Sequence, residues 1–117
     1  MEYRRFESDR TLMRIHVGES DKWHGKLLYQ AIIEFLHQKG FYGATVLRGV
    51  GGYGSSTRFH IDKTLRLSQD LPILIEVVEY TACIDKILPR LDEVLHGGVI
   101  TLEKAHLILY RPKQAVR

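Results

Sequence analysis

The sequence predicts an α+β sandwich, a four-stranded antiparallel sheet with two helices on one face. Three observations predict it. Apolar residues recur with period two in four segments and with a helical period in two others. Each helical segment stands between strand segments, so the order reads β-α-β-β-α-β. The 117 residues make one domain by length, and such a chain buries about two-thirds of its unfolded surface, enough for one core.

Residues 1–10 are polar and read as a leader before the fold. Residues 11–17 alternate, with Met13, Ile15 and Val17 on one side and Leu12, Arg14 and His16 on the other. Gly18 to Asp21 is a turn. Residues 24–39 read as a helix with Leu27, Leu28, Ala31, Ile32, Phe35 and Leu36 on one stripe, capped by Ser20 or Asp21 and stopped by Gly40. Residues 43–48 are a second strand, and a Gly-rich segment follows from Gly49 to Lys63. Residues 72–80 form a β-branched strand opened by Pro72, a position where the missing N–H is tolerated. Residues 82–96 are helical, with Ile84, Ile87, Leu88, Leu91, Val94 and Leu95 on one stripe. Pro89 makes this helix start late, near Asp85, or kink, and Gly97-Gly98 ends it. Residues 100–110 are the last strand, and 112–117 a tail. This order is the ferredoxin-like one.

Two helices cover one face of such a sheet. The other is assigned Leu12, Arg14, His16, Leu74, Glu76, Val78, His106 and Ile108, too apolar a set to stand in water. A second copy of the chain is its simplest cover.

Composition narrows the function. Hydrophobic residues are 44% and charged residues 26%, a globular balance. No apolar run is long enough to span a membrane, and no signal peptide is seen, so a cytoplasmic location is expected. Cys83 is the one cysteine, which excludes an internal disulfide and a cysteine-built metal or iron–sulfur centre. It reads as a small buried residue at a helix start. The six histidines have no ligand spacing, so no metal is expected, although His16 and His106 are placed near each other on the open face. The absence of Asn hints at a thermophilic source.

The net charge of +3 is concentrated. Arg48, Arg58, Lys63 and Arg66 outweigh Asp62 in one segment, and Arg111, Lys113 and Arg117 form another, a pattern that points to an anionic ligand. Gly49-Val50-Gly51-Gly52-Tyr53-Gly54 matches G-x-G-x-x-G formally, but no amphipathic helix follows it, so a dinucleotide fold is excluded. Its glycines instead let backbone N–H groups converge on an anion, with Arg48, Arg58 and His60 adding charge. The competing partner of Arg48 is a carboxylate such as Glu76 or Glu79. No G-x-S-x-G elbow or base–acid pair is present, so no catalytic residue is assigned. Two alternatives stand: a small enzyme using the same cleft, or a nucleic-acid-binding module. The sheet lacks the base-stacking aromatics of RNA-recognition motifs, which disfavours nucleic acid.

Lys39-Gly40-x-x-Gly43-Ala44-Thr45-Val46-x-Arg48-Gly49-x-x-Gly52-x-Gly54 resembles the hallmark of the domain of unknown function 190 family, which is similar to PII signalling proteins. Leu67-Ser68-x-Asp70-Leu71-Pro72-Ile73 and Gly97-Gly98-x-Ile100-Thr101 add to the likeness, which runs from Thr11 to Tyr110. The resemblance implies a homotrimer whose sheets face the threefold axis. It implies a small anionic ligand, an adenine nucleotide by analogy, in clefts between subunits, and no other cofactor. The Gly49–Lys63 segment becomes a T-loop-like element that would dock on a partner, a membrane transporter or an enzyme, and is expected to be mobile without ligand. Ligand-binding residues by this reading are Arg48, Gly49, Gly51, Gly52, Gly54, Arg58, His60, Gly97, Gly98 and Arg111, the last from a neighbouring subunit. Two positions depart from PII proper: Val99 stands where a lysine follows the second glycine loop, and Tyr53 lies outside the context of the modified tyrosine.

Overall fold

The computed structural model describes residues 2–52, 60–61 and 70–113. Strand β1 (Tyr3–Gly18) leads through a small hairpin, β2 (Lys22–Trp23) and β3 (Lys26–Leu27), into helix α1 (Leu28–Gln38). Strands β4 (Thr45–Arg48), β5 (Gly51–Gly52), β6 (His60–Ile61) and β7 (Pro72–Glu79) follow, then helix α2 (Thr81–Val94) and strand β8 (Val99–Pro112). The main sheet runs β4-β7-β1-β8 with every neighbouring pair antiparallel. The predicted α+β ferredoxin-like sandwich is the fold found. The β5–β6 pair closes the base of the Gly-rich segment, with Gly51 opposite Ile61 and Gly52 opposite His60.

The core lies between one sheet face and the two helices. Met13, Ile15 and Val17 of β1 and Ile73, Ile75 and Val77 of β7 meet Leu28, Ile32 and Leu36 of α1 and Ile84, Ile87, Leu91 and Val94 of α2. The strand residues are two apart and the helix residues three or four apart, so each element turns one face inward. The Thr11 and Thr81 hydroxyls, 2.6 Å apart, tie β1 to the start of α2.

Helix α1 begins later than its periodicity predicts. Lys22 to Leu27 form the hairpin, turned by His24 and Gly25, both at positive φ. The hairpin brings the Asp21 carbonyl to the Leu28 N–H at 2.7 Å, while the Asp21 carboxylate accepts from the Gly18 N–H at 2.8 Å. Asp21 therefore serves the helix start through its backbone. At the other end Gly40 sits at φ 79°, with its N–H on the His37 carbonyl and the Phe41 N–H on that of Leu36. This is the Schellman arrangement, which a left-handed residue makes possible. Helix α2 begins at Thr81 and carries Pro89 inside it, so it does not start late. Cys83, in its first turn, is half-buried rather than buried.

Two further expectations change. Residues 3–10 are strand: they pair with residues 105–112 of β8, beyond the point where β7 ends, as a two-stranded ribbon. Pro112 belongs to β8, the Lys113 N–H reaches the Glu2 carbonyl at 3.0 Å, and residues 114–117 lie outside the described residues. The register also pairs Arg14 with Thr101 and Leu12 with Glu103, which puts the odd-numbered residues of β8 on the open face. His106 and Ile108, opposite Asp9 and Glu7, lie on the other face, so His106 does not approach His16. A one-residue change of phase exchanges the two faces of a strand, and the alternation along β8 did not reveal which set faced the helices. On the open face Leu12, Leu74 and Val78 are half-buried, and Arg14 bridges Glu76 at 2.9 Å and Glu103 at 2.7 Å.

Candidate functional site

One end of the sheet carries both glycine segments, one on each edge strand. The register lines up Arg48 of β4, Ile73 of β7 and Val17 of β1, and the preceding residue of β1, His16, faces Val99 of β8. Arg48-Gly49 therefore leaves the sheet at the same end at which Gly97-Gly98 enters it. The Gly49 N–H donates to the Pro72 carbonyl at 2.8 Å, holding the start of the Gly-rich segment on β7. Gly98 is at φ 90°, and a side chain there would run into the carbonyl oxygen of His16. The strand end accepts backbone alone at that point.

Charged side chains organise the same end. Arg48 grips Glu19 with two hydrogen bonds, Nε to Oε2 at 2.7 Å and Nη2 to Oε1 at 2.9 Å. The bond to Arg48 holds the Glu19 carboxyl below its usual range. The Glu19 N–H donates to the Leu71 carbonyl at 2.8 Å, and the Ser20 hydroxyl to Asp70 at 2.7 Å. The carboxylate partner of Arg48 is thus Glu19, not Glu76 or Glu79. Glu76 is bonded to Arg14, and Glu79 accepts from Arg10 and from the Tyr42 and Tyr80 N–H groups. Glu19 lies 29 positions from Arg48, and only the pairing of β1 and β4 with β7 makes them neighbours.

Of the residues singled out in the sequence, Arg48, Gly49, Gly51, Gly52, Gly97 and Gly98 belong to this end of the molecule. His60 is described by its backbone, opposite Gly52. Gly54 and Arg58, with most of the segment expected to be mobile, lie outside the described residues. Arg111 is not there. It pairs with Arg4 near the far end of β8, about 40 Å of extended strand from Val99. Its guanidinium stands 5.8 Å from the ring centres of Phe6 and Tyr42. Glu19 was missed because no local spacing announces it, and so was the bond between Ser20 and Asp70, which the sequence offers only as a helix cap and a motif residue. Among the described residues, no three His, Cys, Asp or Glu side chains gather to hold a metal, and no helix is long and apolar enough to cross a membrane.

A ferredoxin-like sheet with a Gly-rich segment leaving one edge strand, and a second glycine pair entering the other edge strand at the same end, is the PII-like class of fold. The sequence pattern of the DUF190 family, described as an uncharacterized ACR, matches residues 10–107, and the chain belongs to that family. A UPF0166 protein of Methanocaldococcus jannaschii is 37% identical over 82% of this chain and 89% of its own length. One of Aquifex aeolicus is 33% identical over 83% and 91%. Among solved structures, CPII of Thiomonas intermedia K12 bound to ADP and bicarbonate superposes with a TM-score of 0.58 at 15% identity, covering 87% of this chain and 91% of that one. The apo form of CPII, described as a nitrogen regulatory PII-like protein, gives 0.52 at 17% identity over 93% and 100%.

Proposed function

We propose that this protein is a cytoplasmic, homotrimeric PII-like sensor or adaptor rather than an enzyme. It binds a small anionic metabolite, an adenine nucleotide being the first to test, in clefts between subunits. It passes the bound state to a partner protein, a membrane transporter or an enzyme, through its Gly-rich segment. The observation that carries this reading is that Arg48-Gly49 and Gly97-Gly98 lie at the same end of the sheet but on its two opposite edge strands, so that copies packed side by side can bring the first segment of one subunit to the second segment of the next. The complex of CPII with ADP and bicarbonate supports the choice of ligand.

In this reading Gly49, Gly51 and Gly52 line one side of a cleft, the Gly49 N–H itself being held by the Pro72 carbonyl, with Gly54, Arg58 and His60 completing the segment, and Gly97 and Gly98 on the opposite edge strand complete the cleft of a neighbouring subunit. Arg111 is too far from Arg48 along its own chain to share a ligand with it, so it serves the cleft of a neighbouring subunit. The Arg48–Glu19 pair supplies the response: an anion arriving at Arg48 competes with a carboxylate already bound there.

Calorimetric titration with ADP and AMP tests the proposal. Saturable binding is expected, and a nucleotide at 100 times its Kd raises stability by about 2.7 kcal/mol. Arg48→Ala is expected to weaken nucleotide binding roughly 10- to 100-fold, the range for a lost charge-assisted hydrogen bond. Arg48→Lys restores part of it, because an ammonium lacks the bidentate fork. A variant that melts lower but binds with unchanged Kd gives Arg48 a purely structural role as the partner of Glu19.

A further inference from the structure

The helical side carries a feature that the strand end does not use. Two clefts of about 180 and 430 Å³ lie between α1 and α2, and Phe35 and Arg90 line both, so they form one groove. The larger has Phe35, Phe41 and Ile87 as its apolar surface and Lys39, Lys86 and Arg90 as its charged groups, with no carboxylate among its lining residues. Its volume falls in the ~300–1,000 Å³ range of small-molecule sites. The cations stand beside rings: the Lys39 ammonium is 5.7 Å from the Phe35 ring centre and the Arg90 guanidinium 5.5 Å from that of Trp23. Arg90 is also paired with Glu93 at 2.8 Å, whereas Lys39 and Lys86 have no carboxylate partner among the described residues.

The sequence builds this arrangement locally. Cys83, Lys86, Ile87 and Arg90 recur at helical spacing and share one face of α2. Phe35 and Lys39 are four apart at the end of α1, and the Schellman turn at Gly40 brings Phe41 back against them. The hairpin turned by His24-Gly25 swings Trp23 into the same groove. Trp23, Phe35, Phe41 and Leu88 are partly buried against the core, so the aromatic walls are fixed.

We propose that this groove is a second ligand site, which takes a planar aromatic or heteroaromatic compound bearing a phosphate group. The ring lies against Phe35 and Phe41, where the apolar surface is. The phosphate meets Lys39 and Lys86, with Arg90 at the end nearer Trp23. Lys39 and Lys86 have no carboxylate partner among the described residues, Arg90 is held by Glu93, and Glu34 lines the smaller cleft, so the phosphate is placed at the two lysines, the ammonium group being a common phosphate partner. The site is built by one chain alone, from residues absent from the strand-end site, so it stands or falls separately from the proposal above.

Phenyl phosphate is the probe, titrated by calorimetry and by the fluorescence of Trp23, the one tryptophan. Inorganic phosphate and phenol, each carrying half of its chemistry, are titrated in parallel. The expected result is saturable binding at least tenfold tighter than either half, with a change in Trp23 emission. The double variant Lys39→Ala/Lys86→Ala, at two exposed positions, is expected to bind roughly tenfold more weakly or worse, as loss of charge-assisted contacts requires. Arg48→Ala is expected to bind phenyl phosphate normally. No saturation in the millimolar range, binding no tighter than inorganic phosphate, or indifference to the lysine substitutions would each overturn the proposal. So would loss of binding in Arg48→Ala, which would assign the probe to the strand end.

Discussion

Glu79 is 7% exposed and accepts hydrogen bonds from three donors. Its carboxylate accepts from the Tyr42 N–H at 3.0 Å, the Tyr80 N–H at 3.1 Å and Arg10 Nη1 at 3.5 Å. Arg10 in turn stacks 3.6 Å from the centre of the Tyr80 ring. Glu79→Ala leaves two backbone donors and a guanidinium without their acceptor, and is expected to cost about 2–4 kcal/mol. Glu79→Gln, which keeps one oxygen, costs less; denaturant titration of the pair is the measurement, and equal losses would assign the effect to packing. His106 shows the opposite, exposed case. Its ring nitrogens lie 2.9 Å from Glu7 and 3.1 Å from Asp9, bonds to Glu7 and then Asp9 that raise its pKa. The bond to His106, followed by the charge of Arg5, lowers that of Glu7. The support from a raised histidine is complete below its unfolded pKa and is lost as pH rises through the folded one. The support from a lowered carboxyl is present above its unfolded pKa and is lost as pH falls through the folded one. The clasp is therefore strongest above the ordinary carboxylate range and below the ordinary histidine value of about 6.5, and weakens as pH rises towards the raised one. Proton NMR should find His106 titrating above the ordinary value of about 6.5, and lower once Glu7→Gln and Asp9→Asn are introduced. Titration of the unaltered protein at or below that value would remove the clasp.

At the scale of elements, α2 holds one residue that works against it. Pro89 is exposed in the helix interior, where it lacks the N–H that would reach the Asp85 carbonyl and crowds that carbonyl with its ring. An interior proline costs about 3 kcal/mol relative to alanine, part of which its stiffness in the unfolded chain returns. Pro89→Ala is thus expected to raise stability by about 1–3 kcal/mol, read as a higher melting temperature; a lower one would show that the proline sets a helix shape the core needs. The burial of Ile84, Ile87, Leu91 and Val94 on both sides of it explains how the helix survives. The ribbon of β1 and β8 is the complementary case. Its residues 3–10 and 105–112 gain no third strand from β7, and Tyr3, Phe6, Ile108 and Tyr110 remain exposed on it.

For the whole molecule, the uncovered sheet face is the feature that ties fold to assembly. Leu12, Leu74 and Val78 lie there, around the Arg14 network with Glu76 and Glu103. Burying them between three copies is the simplest way to withdraw that apolar surface from water. Light scattering is expected to give the mass of three 13.5 kDa chains. Val78→Asp should dissociate them, because an unpaired charge brought into such an interface costs several kcal/mol. A 13.5 kDa particle at micromolar concentration would refute the assembly, and a Val78→Asp protein that still assembles would show that a different face is buried between the subunits.

The order of elements was legible in the sequence because it depends on local periodicity. The inward sets of β1, β7, α1 and α2 repeat at two or at three to four residues, and most of them are buried, with Leu27, Phe35, Leu88 and Leu95 only partly so. Gly40 could be recognised as a helix stop because that role is decided within six residues. The distant partners of Arg48, 29 positions away, and of Glu79, 37 and 69 positions away, could not, since strand pairing brings them together and spacing carries no trace of it. The face of His106 was likewise beyond the sequence. Alternation gives two faces for β8, and only its register against β1 says which one meets the helices. The leader was misread for a related reason: residues 3–10 have no core to pattern them, and become strand because the far half of β8 offers them backbone hydrogen bonds. The sequence by itself therefore determined the fold and the two glycine segments, which are matters of local pattern. Only the tertiary structure decided which charges meet at the strand end, and that Arg111 lies too far away to join them within one chain, because those are matters of contact between distant residues.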